Sequence, residues 1–127
     1  MLESWSDADF ATDKRDRKSV TGGVVTMDGA IIQWIGKKQT GESLSTMEAE
    51  FTSASHVGRE LLGLHELVRE MGFLVSEPMT MMMDNQAAIK HLESDYSIAN
   101  AKHVNIRVKF YRDFANRGIV RPAYVEF

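Results

Sequence analysis

Hydrophobic positions alternate in the first third of the chain, take on helical spacing in the second, and return to short apolar runs afterwards. Trp5 to Phe10 alternates and predicts a first strand, followed by the polar loop ATDKRDRKS. Val20 to Met27 and Ala30 to Ile35 are rich in apolar and β-branched side chains. The Asp28-Gly29 pair between them is a two-residue hairpin signal, so the two segments are expected to pair antiparallel. After the loop KKQTGES, residues Met47, Phe51, Ala54, Val57, Leu61, Leu64, Val68 and Met71 recur at spacings of four and three. They predict a long amphipathic helix that starts at Ser45 and stops at Gly72.

Met79 to Met83 is continuously apolar, follows Pro78 and ends at Asp84, which fits a buried strand. A helical pattern then runs through Ala87, Ala88, Ile89 and Leu92, and Tyr96 to Lys102 reads as loop. A further helix from His103, with Val104, Val108, Tyr111 and Phe114 or Ala115 on one face, runs to Gly118, and Ile119 to Phe127 alternates as a last strand. The predicted order β-β-β-α-β-α-α-β describes an α/β domain, and 127 residues fit one domain spanning 1–127.

Composition narrows the chemistry. The chain has no cysteine, which excludes disulfides, thiolate zinc sites and cysteine nucleophiles, so any metal would bind through oxygen or histidine. No apolar run approaches the roughly 18 to 20 residues that span a bilayer, and MLESWSDADF lacks the features of a secretory signal. A soluble, intracellular protein, cytoplasmic or nuclear, with no membrane partner is therefore expected. The net charge of −3 argues against coating nucleic acid by charge alone. Its distribution is more informative: Lys14 to Lys18, Lys37 with Lys38, and the segment from Ala99 to Phe127 are basic, while acids gather in three short islands.

Those islands are SDAD with Asp7 and Asp9, STMEAE with Glu48 and Glu50, and MMMDNQ with Asp84. Each permits two readings. An Asp near a strand end commonly serves a turn, Ser45-x-x-Glu48 spells a capping box, and Asp84-Asn85 can cap the next helix. Alternatively, a carboxylate on the first strand, one at the start of the first helix and one at the end of the fourth strand can gather at a sheet edge. Such a group would hold a hard divalent cation.

The strings SDADFATDKRDRKSVTGGVV, IQWIGKKQ, LSTMEAEF, DNQAAI and KHVNIR, in this order and over essentially the whole chain, closely resemble the ribonuclease H domain of copia-type retrotransposon polyproteins. The resemblance implies a ribonuclease H-like fold: a five-stranded mixed sheet, three antiparallel strands then two parallel to the first, flanked by helices. It also implies metal ligation and catalysis by Asp7, Glu48 and Asp84, with Asp9 and Glu50 outside the ligand set. Two Mg²⁺ or Mn²⁺ ions and hydrolysis of the RNA strand of an RNA/DNA hybrid follow from the same resemblance. The reverse transcriptase domain of the same polyprotein is the implied partner.

Asn85 and Gln86, whose amides both donate and accept, are candidate sugar and base contacts beside the metals. Lys37, Lys38 and Gln39 are candidate phosphate contacts on the loop after the third strand, with a solvated loop as the alternative. His103 is a candidate substrate contact or a structural histidine. In the family a fourth carboxylate follows the last strand on a C-terminal helix, whereas this sequence ends at YVEF. The expectation is accordingly a site of three ligands with weak turnover. The competing expectation is a domesticated or truncated module that binds nucleic acid or protein without catalysis.

Overall fold

The computed structural model describes residues 1–9, 15, 18–42, 46–84, 89, 114 and 117–126. The first strand, β1, spans Leu2–Asp9, three residues earlier than the alternation suggests, and is followed by β2 at Lys18–Met27. Asp28 and Gly29 both adopt positive φ, 51° and 85°, as the tight hairpin turn requires, and return the chain into β3 at Ala30–Glu42. Strand β3 absorbs Lys37, Lys38 and Gln39, which the sequence pattern assigns to a loop. Between Lys18↔Glu42 and Val20↔Lys38 the register shifts, so β3 spends extra residues there against β2.

The helix α1 spans Thr46–Glu70. It closes as the sequence predicts, with Gly72 at φ 89°, its N–H donating to the Arg69 carbonyl at 2.9 Å, and the Phe73 N–H donating to the Val68 carbonyl at 3.2 Å. This is the paired closure that a left-handed glycine permits. Strands β4 at Met79–Met83 and β5 at Val120–Tyr124 complete a sheet of order β3-β2-β1-β4-β5. β1, β2 and β3 pair antiparallel, β4 lies parallel to β1, and β5 lies parallel to β4. Ile89 and Phe114 are helical and Arg117 and Gly118 form a turn; the rest of the two later predicted helices lies outside the described residues, as do Asn85, Gln86 and His103.

One face of the sheet carries α1. Leu2, Val25, Met79, Met81, Met83 and Val120 from the strands meet Phe51, Ala54 and Leu61 from the helix in a single buried cluster. Alternation in β1 sends Leu2, Ser4 and Ser6 into this layer. The helix crosses β2 closely at Gly23, where a Cβ would lie 2.5 Å from Val57 Cγ2 and 2.9 Å from the Trp5 carbonyl oxygen. Only glycine lets the helix settle that near the strand. No helix among the described residues is long and apolar enough to cross a membrane.

Candidate metal centre

Two carboxylates reach the same sheet edge through strand register. Parallel pairing sets Ser6 of β1 opposite Met83 of β4, so Asp7 and Asp84, each one residue further along, emerge side by side at the carboxyl ends of adjacent strands. In open α/β sheets this edge is where ligands commonly bind. The third carboxylate comes from α1, and it is Glu50. One oxygen from each of Asp7, Glu50 and Asp84 lies within 4.8 Å of the other two.

The expectation that Glu48 joins Asp7 and Asp84 is therefore corrected. Glu48 stays partly exposed in the first turn of α1, outside the carboxylate group, and Asp9 is exposed at the end of β1. The reason is helical phase. At about 100° per residue, Glu50 falls within about 20° of Val57, seven residues on, whereas Glu48 falls on nearly the opposite side of the helix. Val57 is fully buried against the sheet, and the buried stripe continues through Ser53, Ala54 and Leu61. Counting back from Val57 was a signal available in the sequence. The serine of the capping motif, Ser45, lies outside the described residues.

Glu50 is only 4% exposed, while Asp7 is exposed and Asp84 partly so. The Ala8 N–H donates to Glu50 Oε1 at 3.2 Å and also to Asp7 Oδ1 at 2.9 Å. Glu50 Oε2 is buried and has no hydrogen-bond partner among the described residues. Burial first, then the closeness of Asp7 and the charge of Asp84, push the Glu50 carboxyl up to about 8, against the opposing pull of the Ala8 N–H. Asp84 is also raised, by burial and by the charge of Asp7, against the pull of its own backbone N–H. Three hard oxygen donors that repel one another, one of them buried and without a partner among the described residues, fit a divalent cation.

Lys37 and Lys38 are exposed on β3. Gln39 is not: 6% exposed, it points into the core, and its Nε2 donates to the Ala49 carbonyl at 3.1 Å, Thr21 Oγ1 at 3.2 Å and Ser53 Oγ at 3.3 Å. Its expected phosphate contact from a loop is corrected to an interior role, because the register shift in β3 turns this side chain toward α1. At the other end of α1, the sequence pattern passes over His65. It is buried, with Nε2 2.8 Å from Glu77 Oε1, and borders a cavity of about 910 Å³ with Phe73, Phe114 and Arg117.

The chain matches no family model. It is 34% identical over 116 residues to the retrovirus-related Pol polyprotein from transposon TNT 1-94 of Nicotiana tabacum, covering 91% of this chain and 9% of that protein. It is 32% identical over 124 residues to the corresponding polyprotein from transposon RE1 of Arabidopsis thaliana, covering 98% of this chain and 8% of that one. The chain thus spans less than a tenth of the length of these curated relatives. Among solved structures it is similar to LC11-RNase H1, isolated from compost by a metagenomic approach, with a TM-score of 0.68 at 12% identity over 98% of this chain and 84% of that one. The same enzyme in complex with an RNA/DNA hybrid gives a TM-score of 0.64 at 12% identity, over 99% of this chain and 86% of that one. RNase H1 from the halophilic archaeon Halobacterium salinarum gives 0.58 at 16% identity, over 98% of this chain and 85% of that one. The shared sequence over nearly the whole chain and the shared fold lead to one assignment: the chain is homologous to a segment of the retrovirus-related Pol polyproteins of transposons and has the ribonuclease H fold.

Proposed function

We propose that this domain hydrolyses the RNA strand of RNA/DNA hybrids with divalent metal, as the ribonuclease H of a copia-type polyprotein that also carries a reverse transcriptase domain, inside the cell. The observation that carries this reading is the convergence of Asp7, Glu50 and Asp84 on one edge of a ribonuclease H fold, with the Glu50 Oε2 buried and without a partner among the described residues. A solved structure of the same fold is in complex with an RNA/DNA hybrid, which supports the substrate class.

In this reading Asp7, Glu50 and Asp84 hold the metal, two ions in the complete site. Bound Mg²⁺ or Mn²⁺ supplies an activated water and neutralises charge on the scissile phosphate. The chain's own contribution is placement. The Ala8 N–H holds Glu50 and Asp7 from the same strand residue, and exposed Asp7 faces the side from which a phosphate can approach. Burial denies Glu50 water, so a cation is its available counter-charge. Asn85, Gln86 and His103 serve as sugar and base contacts, and Lys37 and Lys38 as phosphate contacts, since a hybrid is read by its shape and 2′-hydroxyls.

The test is cleavage of an end-labelled RNA/DNA duplex in Mg²⁺ or Mn²⁺, beside RNA/RNA and DNA/DNA duplexes. The expected result is cutting of the RNA strand of the hybrid alone, lost in Asp7→Asn. Equal cutting of all three duplexes overturns the substrate, and tight binding of the hybrid without any cutting supports a non-catalytic binding module instead.

A further inference from the structure

The geometry points to Gln39 as a positioning residue for the carboxylate centre: from inside the core, its amide fixes the first turn of α1 and thereby the place of Glu50. This inference rests on the reading of Asp7, Glu50 and Asp84 as metal ligands.

The observations are local and independent of the carboxylates themselves. Gln39 Nε2 lies 3.1 Å from the carbonyl oxygen of Ala49, the residue immediately before Glu50. The same nitrogen lies 3.2 Å from Thr21 Oγ1 on β2 and 3.3 Å from Ser53 Oγ, one turn along α1, and Ser53 Oγ lies 3.2 Å from Thr21 Oγ1. All four residues are at least nine-tenths buried. An amide nitrogen has two hydrogens and here faces three acceptors, so it ties β3, β2 and α1 at one point. A buried polar group persists only where it is satisfied, and a satisfied network holds one arrangement of the elements around it.

The consequence reaches the metal centre through Glu50. Apolar packing of Phe51, Ala54 and Val57 fixes the phase of the helix, but apolar contacts slide more easily along the axis than hydrogen bonds do. Gln39 supplies a directional contact to the backbone of the residue before Glu50, in addition to the Ala8 N–H that holds the carboxylate itself. Partners that orient a ligand from behind commonly matter to metal affinity by about ten- to a hundredfold.

The test is titration of Mn²⁺ into the metal-free protein by calorimetry, for the wild type, Gln39→Met, the double variant Thr21→Val with Ser53→Ala, and Val120→Ala. Methionine fills the space of glutamine without its hydrogens. The double variant leaves the bond to Ala49 in place, and Val120→Ala lowers stability at the far end of β4 from Asp84. Gln39→Met is expected to weaken Mn²⁺ binding about tenfold and to speed amide hydrogen exchange at residues 49–53 more than at residues 61–65. Val120→Ala should keep wild-type affinity, and the double variant, which removes two of the three acceptors but keeps the bond to Ala49, should lose less than Gln39→Met; an equal or larger loss there overturns the bond to Ala49 as the positioning contact. Wild-type affinity in a folded Gln39→Met overturns the role of Gln39 and leaves the metal site standing. An equal loss in Val120→Ala overturns it too, since general destabilisation then suffices. No Mn²⁺ binding by the wild type overturns the metal reading and, with it, any ligand for Gln39 to position. If Gln39→Met does not fold, Gln39→Glu, which puts a carboxylate oxygen where the Ala49 carbonyl needs a donor, should show the same loss, and full affinity there overturns the role.

Discussion

Glu50 and Ala8 are 42 residues apart in sequence, and the Ala8 N–H donates to Glu50 Oε1 across 3.2 Å. This one bond ties the N-terminal part of α1 to the end of β1 and sets the helix carboxylate beside Asp7. The proposed ligand set includes Glu50 because of it. Asp7→Asn, Glu50→Gln and Asp84→Asn should each reduce hybrid cleavage by at least about a hundredfold, the equivalent of a few kcal/mol of lost charge stabilisation. Glu48→Gln should retain most of the activity. Parallel assays of the four variants decide it, and a dead Glu48→Gln beside an active Glu50→Gln would return the site to the helix phase rejected above.

Metal-free stability should fall with pH because of Glu50. Its carboxyl titrates at 4.5 when unperturbed and at about 8 when folded, so the folded protein holds the proton more tightly than the unfolded chain. The corresponding stability is complete below pH 4.5 and is lost as the pH rises through about 8. The slope between them reaches about 1.4 kcal/mol per pH unit for one proton. Urea unfolding in chelator at pH 5, 7 and 9 should show Glu50→Gln gaining on the wild type as pH rises. A constant difference between the two proteins would show that Glu50 does not carry this proton.

Metal binding near neutral pH should release a proton from the same group. A cation favours the ionised carboxylate, so Mn²⁺ displaces the proton that Glu50 holds at pH 7. Calorimetric titrations in two buffers of different ionisation enthalpy measure the number released. The expected value is close to one per site at pH 7 and falls toward zero above pH 9, and a buffer-independent heat at pH 7 contradicts it.

Gly23→Ala should destabilise by about 1 to 3 kcal/mol, the usual cost of overpacking. The added methyl meets Val57 Cγ2 at 2.5 Å and the Trp5 carbonyl oxygen at 2.9 Å. Val57→Ala should restore only part of the loss, because the backbone oxygen cannot move away. Gly22→Ala, whose nearest neighbour would be the Asp7 carbonyl oxygen at 3.9 Å, should be nearly neutral. Chemical denaturation of the three variants checks the order.

Glu77→Ala should cost about 1 to 3 kcal/mol, since it strips the buried ring of His65 of its partner 2.8 Å away. Glu77→Gln keeps an oxygen in place and should cost less. Cleavage should be unaffected by either, because His65 lies near the end of α1 remote from Glu50. Denaturation and cleavage assays together test both halves.

The sequence by itself determined the elements whose cause is local. The Asp28-Gly29 turn needs two residues that tolerate positive φ, the close of α1 needs a glycine at position 72, and the apolar spacing of α1 and the Met79 to Met83 run need only their own side chains. The mixed sheet entered through resemblance to a family, since strand order is set by long-range pairing that alternation does not encode. Tertiary structure decided which carboxylate of STMEAE faces the sheet: the family resemblance pointed to Glu48, while packing of Val57 against the strand at Gly23 turned Glu50 inward. It also decided Gln39, whose polar side chain reads as surface chemistry until a shift in β3 register carries it into the core. In both cases the deciding force is burial against a partner distant in sequence, and one residue's position cannot reveal it.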